Sequence, residues 1–143
     1  MLALECYKKA IGIKPEMAEV WLSMSAIYLD QGNYAEAIAS CQRAININHD
    51  YSEGWYYMGC AFVFLPNFAE AERCFLEALR INPANEKSVF NLACLYSLQK
   101  DKPGALERLA CAIELNPANR HKAQTDADFE WLWSDEDFKN MVR

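Results

Sequence analysis

The sequence predicts an all-α fold made of repeated helix pairs, and three observations favour it. Apolar residues recur every three or four positions, as in Trp21, Met24 and Tyr28, which is the spacing of one helix face. The 143 residues include only 5 Gly and 5 Pro, so few tight turns are available. Three segments of equal length also align without gaps, at 18–51, 52–85 and 86–119. Such units are expected to stack, because an isolated one cannot bury its apolar face.

Each full repeat is predicted to contain two amphipathic helices. The expected first and second helices, in chain order, are roughly 18–31 and 34–47, 52–65 and 68–81, and 86–99 and 102–115. Asn33, Asn67 and Asp101 precede the second helices, where a side-chain oxygen can accept a hydrogen bond from a free backbone N–H group.

Prolines are predicted to end the second helices. Pro15, Pro83 and Pro117 fall just beyond them, where proline cannot continue a helix. His49 takes the equivalent position in one repeat, which predicts a looser turn there.

Small residues are expected where the two helices of a pair approach closely. They are Ser25, Gly59 and Ala93 on the first helices, and Ala37, Ala71 and Ala105 on the second helices.

The repeat pattern is similar to that of a known family. Residues 55–83 contain W-x-x-M-G-x-x-F, then A-x-x-x-F, then a closing proline. This resembles the tetratricopeptide repeat, whose signature is W-x-x-L-G-x-x-Y…A-x-x-x-F…P. In the third full repeat, Val89 replaces the Trp, and Lys102 stands where an aromatic residue usually begins the second helix. The resemblance covers 1–119 and implies a right-handed superhelical array, an α-α solenoid of antiparallel helix pairs.

The resemblance also implies a non-catalytic scaffold or adaptor for protein–protein interaction. In this family the first helices line a concave groove that receives a peptide or a partner's helix. The corresponding positions here are Glu19, Leu22, Ser23, Ala26, Leu29 and Asp30 in the first full repeat, Glu53, Tyr56, Tyr57, Cys60, Val63 and Phe64 in the second, and Lys87, Phe90, Asn91, Cys94, Ser97 and Leu98 in the third. This apolar, aromatic set predicts an apolar or amphipathic segment as the partner. The alternative is that this apolar surface is covered by the chain's own tail or by another copy of the protein.

One family subtype binds the acidic carboxylate tails of heat-shock chaperones, and we expect no such binding here. Its clamp needs several converging cations and amides. The matching positions are Leu22, Ala26, Tyr57, Lys87 and Asn91, of which only Lys87 fits.

The two ends of the chain depart from the full repeat. Residues 1–17 match only a second helix, which predicts an uncovered apolar flank at Leu4, Tyr7 and Ile11. This flank is a candidate for homodimerisation, and a structural, self-assembling protein is therefore the alternative function.

Residues 120–143 are expected to form C-terminal capping helices, with Ser134 as an N-cap. They resemble the closing segment of many bacterial repeat arrays. The alternative is an acidic, aromatic motif that binds a basic partner or folds back into the groove.

Composition and motifs exclude several classes of protein. The net charge of −6 argues against nucleic-acid binding, and no apolar run is long enough for membrane insertion. Residues 126–143 hold six acids and two bases, so they contribute −4 of that charge. No phosphate loop, G-x-S-x-G motif or zinc spacing occurs, so we expect no enzyme activity, no cofactor and no metal site. Six cysteines without C-x-x-C spacing or a preceding secretory leader predict reduced, buried thiols that act as small apolar residues, and a cytoplasmic location.

Overall fold

The computed structural model describes residues 2–143, with only the backbone of Leu2. All regular secondary structure in this range is helical. The chain forms two compact units, Met1–Asn82 and Pro83–Arg143, which we call unit 1 and unit 2.

Within residues 2–82 unit 1 contains five helices, and unit 2 contains four helices and a short 3-10 helix. In unit 1 they are α1 (Leu2–Ile13), α2 (Ala18–Asp30), α3 (Tyr34–Ile47), α4 (Ser52–Phe64) and α5 (Phe68–Ile81). In unit 2 they are α6 (Glu86–Leu98), α7 (Lys102–Leu115), α8 (Asn119–Thr125), the 3-10 helix Ala127–Leu132 and α9 (Glu136–Val142). The predicted second helices are confirmed as stated, and each first helix ends one residue earlier than predicted. Helices α2 and α3, α4 and α5, and α6 and α7 pack as consecutive pairs.

Small residues lie at the predicted close approaches within each pair. Gly59 shows how tight the fit is, because a Cβ atom built on it would lie 2.7 Å from Cε1 of Phe75. The Phe75 side chain is itself fully buried. The small partners of the other pairs, Ser25 with Ala37 and Ala93 with Ala105, are buried as well.

Helix α1 packs against α2 within unit 1. Leu4 is 9% exposed and shares an apolar cluster with Met24 and Tyr28 of α2. Tyr7 and Ile11 are half-buried and pack on the same cluster. The prediction of an uncovered flank is therefore wrong for Leu4, which packs against α2, whereas Tyr7 and Ile11 stay partly exposed.

Side-chain caps begin two of the three second helices, as predicted. Asn67 Oδ1 accepts a hydrogen bond from the Glu70 backbone N–H at 3.3 Å, and Asp101 Oδ1 accepts one from Gly104 at 3.1 Å. The side chain of Asn33 caps nothing and donates instead to Gln31.

The cap of the last helix lies one residue later than predicted. Asp135, and not Ser134, precedes α9, and its Oδ1 accepts from the Phe138 backbone N–H at 3.1 Å. A carboxylate at this position also favours the positive N-terminal end of the helix.

Candidate protein-interaction surfaces

The predicted groove positions on α2 and α4 lie in unit 1, and we call them together the α2–α4 wall. Part of this wall lines a pocket of about 260 Å³. Its lining residues are Ala3, Tyr7, Leu22, Ser23, Ala26, Ile27 and Tyr57. None of these side chains is charged, and the two tyrosines are the largest of them. The pocket is therefore suited to an apolar side chain or an aromatic ring.

Aromatic contacts fix the side chains of α4. The rings of Tyr56 and Tyr57 meet edge to face with centroids 5.1 Å apart, and Tyr56 also lies 6.2 Å from the ring of Phe75. Phe64 stacks on Tyr34 at 5.2 Å but remains 63% exposed. Ring pairs of this kind hold side chains in place while leaving one face available for contact.

Carboxylates lie at the N-terminal ends of α2 and α4. Burial, followed by the charges of Glu19 and Glu53, raises the pKa of Tyr51 above its ordinary value. Both carboxylates therefore lie near the same phenol group. Glu19 is exposed and Glu53 is half-buried, so a charged partner can reach this edge of the α2–α4 wall.

The equivalent wall of unit 2 is covered by the chain's own C-terminal segment. Phe90 is 3% exposed, and its ring meets Phe129 of the 3-10 helix at 5.8 Å. The Lys122 ammonium lies 4.4 Å from the centroid of the Phe90 ring. Cys94 is 8% exposed. Phe90 and Cys94 are thus buried residues in unit 2, whereas Lys87 is exposed and Asn91 is half-buried.

Ser97 joins the 3-10 helix to α6 through two short hydrogen bonds. Its hydroxyl donates to the backbone carbonyl of Asp128 and accepts from Trp131 Nε1, both at 2.7 Å. The Lys100 ammonium lies 4.8 Å from the Trp131 ring centroid. Because these groups satisfy one another, the segment is fastened to α6 by polar as well as apolar contacts.

Cys94, Asp126 and Asp128 form a group that the sequence analysis did not identify. Their ligand atoms lie within 4.8 Å of one another. The Cys94 thiol donates to Asp126 Oδ2 at 3.9 Å, and Asp126 Oδ1 accepts from the Asp128 backbone N–H at 2.9 Å. Burial, followed by the Asp126 and Asp128 charges, raises the pKa of Cys94, and burial raises the pKa of Asp128. A thiol that keeps its proton is a hydrogen-bond donor and a poor metal ligand.

Lys102 explains one departure from the repeat pattern. It stands where an aromatic residue usually begins the second helix, and its ammonium contacts Asp135 at 2.8 Å and Asp137 at 3.0 Å. The cation therefore joins α7 to the acidic start of α9. The unusual lysine was the one signal in the sequence that could have located this contact.

Two buried cysteines of unit 1 act as small apolar residues. Burial raises the pKa of Cys41 to about 11 and that of Cys74 to about 12, so both thiols keep their protons at neutral pH. The prediction that the cysteines are buried is wrong for Cys6 and Cys111, which are exposed.

Comparison with family models decides the identity of the repeat. One model, described as "TPR repeat", matches residues 26–63, and another, "Tetratricopeptide repeat", matches residues 52–85. Residues 26–85 of this chain therefore match models of the tetratricopeptide repeat. Tetratricopeptide repeats generally bind proteins or peptides, and their fold is a non-catalytic scaffold for protein interaction. The expectation that the chain is not an enzyme is confirmed on these grounds.

Solved structures show the same fold. A structure titled "Crystal structure of MamA" is 19% identical, with a TM-score of 0.78 over 97% of this chain and 80% of that one. "Crystal structure of MamA protein" is 19% identical, with a TM-score of 0.76 over 97% of this chain and 74% of that one. "MamA RS-1 ArsTM double mutant" is 14% identical, with a TM-score of 0.75 over 97% of this chain and 76% of that one. The predicted all-α tetratricopeptide-like fold is confirmed. No curated protein matches the sequence.

No helix among residues 2–143 is both long and apolar enough to cross a bilayer.

Proposed function

We propose that the chain is a scaffold or adaptor whose α2–α4 wall binds an apolar or amphipathic peptide segment of a protein partner. The observation that carries the proposal is the uncharged pocket lined by Leu22, Ala26 and Tyr57. Exposed apolar surface of this kind usually marks an interaction site. Tyrosines are also common anchors at protein interfaces, because one end is apolar and the other can donate a hydrogen bond.

Side-chain burial removes some of the predicted groove residues from the proposed contact set. In unit 2 the 3-10 helix already covers Phe90 and Cys94. This supports a division into a repeat array at 1–119 and a capping segment at 120–143. The proposed contact residues in unit 1 are Glu19, Leu22, Ala26, Glu53, Tyr56, Tyr57, Cys60 and Phe64; in unit 2 they are Lys87 and Asn91.

The setting that we propose is the cytoplasm, and the six free thiols support it, because disulfides are rare in that compartment. The resemblance of the capping segment to bacterial arrays supports a bacterial origin. A self-assembling protein is the second candidate. With Leu4 buried in unit 1, an interface between copies would involve the half-buried Tyr7 and Ile11.

Site-specific photo-crosslinking in native cells tests the proposed function. A crosslinking amino acid replaces Tyr57 in one variant and the exposed Ala69 of α5 in a matched control. We expect capture of a partner from position 57 that is weakened about tenfold or more by Leu22→Ala, since removing a buried apolar anchor costs about 2 kcal/mol. Equal capture from positions 57 and 69 would contradict the proposal. Capture of the chain itself, with a mass in light scattering that rises with concentration, would favour the self-assembling protein.

A further inference from the structure

The charges of the α2–α4 wall all have one sign. Helices α2 and α4 contain the carboxylates Glu19, Asp30 and Glu53 and no Lys or Arg. All three occupy groove positions, and the pocket between them is lined by uncharged side chains. The wall therefore offers an apolar centre with negative charge at its edges.

The arginines of α3 and α5 in unit 1 contact groups other than Glu19 and Asp30. Arg73 pairs with Glu70 at 2.9 Å, and Arg80 pairs with Glu77. The Arg43 guanidinium lies 5.4 Å from the centroid of the Trp21 ring. These three arginines therefore do not pair with Glu19 or Asp30.

A favourable interaction with the helix dipole explains the positions of two of the three carboxylates but not that of the third. Glu19 and Glu53 lie in the first turns of their helices, where negative charge is favourable. Asp30 is the last residue of α2, where the helix dipole disfavours a carboxylate. Asp30 is exposed, and none of the salt bridges among residues 2–143 includes it. A locally unfavourable charge on an interaction surface indicates a partner that supplies the opposite charge.

We infer that the partner of the α2–α4 wall is a basic amphipathic segment, with Lys or Arg on both sides of its apolar residues. This inference rests on the proposed function, since it specifies the partner of the same surface. The apolar side chains enter the pocket beside Tyr57, and the cations meet Glu19 at one edge and Asp30 at the other. An acidic segment is disfavoured, because its charges would face those of the wall.

Synthetic peptides of 13 residues, the length of α2, test the charge preference on the full chain. The basic peptide carries Leu and Phe at helical spacing with Lys and Arg at both ends. The acidic peptide has Glu at the same ends, and a third peptide keeps the basic ends but has Ser in place of Leu and Phe. We expect the basic peptide to bind about fivefold or more tighter than the acidic one at about 50 mM salt, with most of this preference lost at about 500 mM.

Variants locate the effect. Combined Glu19→Gln and Asp30→Asn is expected to remove the preference for the basic peptide while leaving the helix signal in circular dichroism unchanged. The matched control, Glu36→Gln with Glu72→Gln on α3 and α5, is expected to keep the preference.

The possible results separate the two proposals. Equal binding of the basic and acidic peptides, sensitive to Leu22→Ala, would overturn the charge inference and leave the proposed function standing. Binding by the Ser-containing peptide that equals that of the basic peptide would overturn the proposed apolar contact. Absence of binding by any of the three peptides would count against both.

Discussion

At the scale of single residues, small side chains decide how closely the helices of a pair approach. The ring of Phe75 occupies the space that a side chain at position 59 would need, with three ring atoms within 3.0 Å of the ideal Cβ position. Phe75 is buried and also contacts Tyr56, so the ring cannot move away cheaply. The glycine here provides space and not unusual backbone freedom, since it lies within a regular helix.

Gly59→Ala is therefore expected to lower the free energy of unfolding by about 1–3 kcal/mol through overpacking. The comparison variant is Gly12→Ala in α1, where no atom lies within 4 Å of the added Cβ. That change is expected to be neutral or to stabilise the protein by up to about 1 kcal/mol, because alanine is the better helix former. Urea unfolding of both variants measures the difference. If Gly59→Ala were as stable as Gly12→Ala, the close packing of Phe75 would be contradicted.

Single residues also show which contacts the sequence can predict and which it cannot. Burial of Ser25, Ala37 and Ala71 followed from the repeat, because equivalent positions face equivalent neighbours. Contact between Ser97 and Trp131 did not follow, because the segment that contains Trp131 has no counterpart in the earlier repeats. The candidate groove positions, such as Leu22 on α2, came from the family's repeat pattern. That pattern could not show that Phe90, at the same position in the third full repeat, would be covered by the C-terminal segment.

At the scale of helices and turns, the same connection occurs three times with nearly the same backbone. Asn48, Asn82 and Asn116 are the C-caps of α3, α5 and α7, with φ from −135° to −151° and ψ from 94° to 108°. This extended conformation is the one that a following proline requires. Pro83 and Pro117 follow two of these asparagines, and His49 follows the third.

His49→Pro is accordingly expected to stabilise the protein by about 0.4–1 kcal/mol, because it reduces the conformational freedom of the unfolded chain without straining the turn. A rise in the midpoint of thermal unfolding, with circular dichroism unchanged, is the expected measurement. Asn48→Pro is the comparison, since φ at this position is −136°, far from the value that proline allows, and its N–H donates to Ala44. A loss of stability in His49→Pro would mean that this turn differs from the other two.

Helix boundaries were predictable because every repeat presents the same sequence signals. The 3-10 helix Ala127–Leu132 was not predictable, since it is only six residues long and its cap, Asp126, has no equivalent in the repeats. The sequence did indicate that 120–143 departs from the repeat. The physical basis for its path lies in tertiary contacts, above all those of Phe129 with Phe90 and Phe138.

At the scale of the whole molecule, each unit has its own apolar core. In unit 1 a cluster of buried side chains joins α1, α2, α3 and α4. In unit 2 the capping segment completes the core, where Phe129 is fully buried between Phe90 at 5.8 Å and Phe138 at 5.9 Å. In repeat proteins, stability is carried by contacts between neighbouring elements, so damage in one unit need not spread to the whole chain.

Phe129→Ala tests this division of stability. The variant is expected to lose about 3–5 kcal/mol in unit 2, because a large buried ring is replaced by a cavity. In native-state hydrogen exchange, amides of α6 and α7 should lose protection, whereas those of α2 and α3 should keep most of theirs. Trp133→Ala is the matched control in the same segment, since Trp133 is 38% exposed and a smaller loss is expected. An equal loss of protection in α2 and α6 would show that the chain opens as one cooperative block, and the assignment of a separate core to each unit would then be wrong.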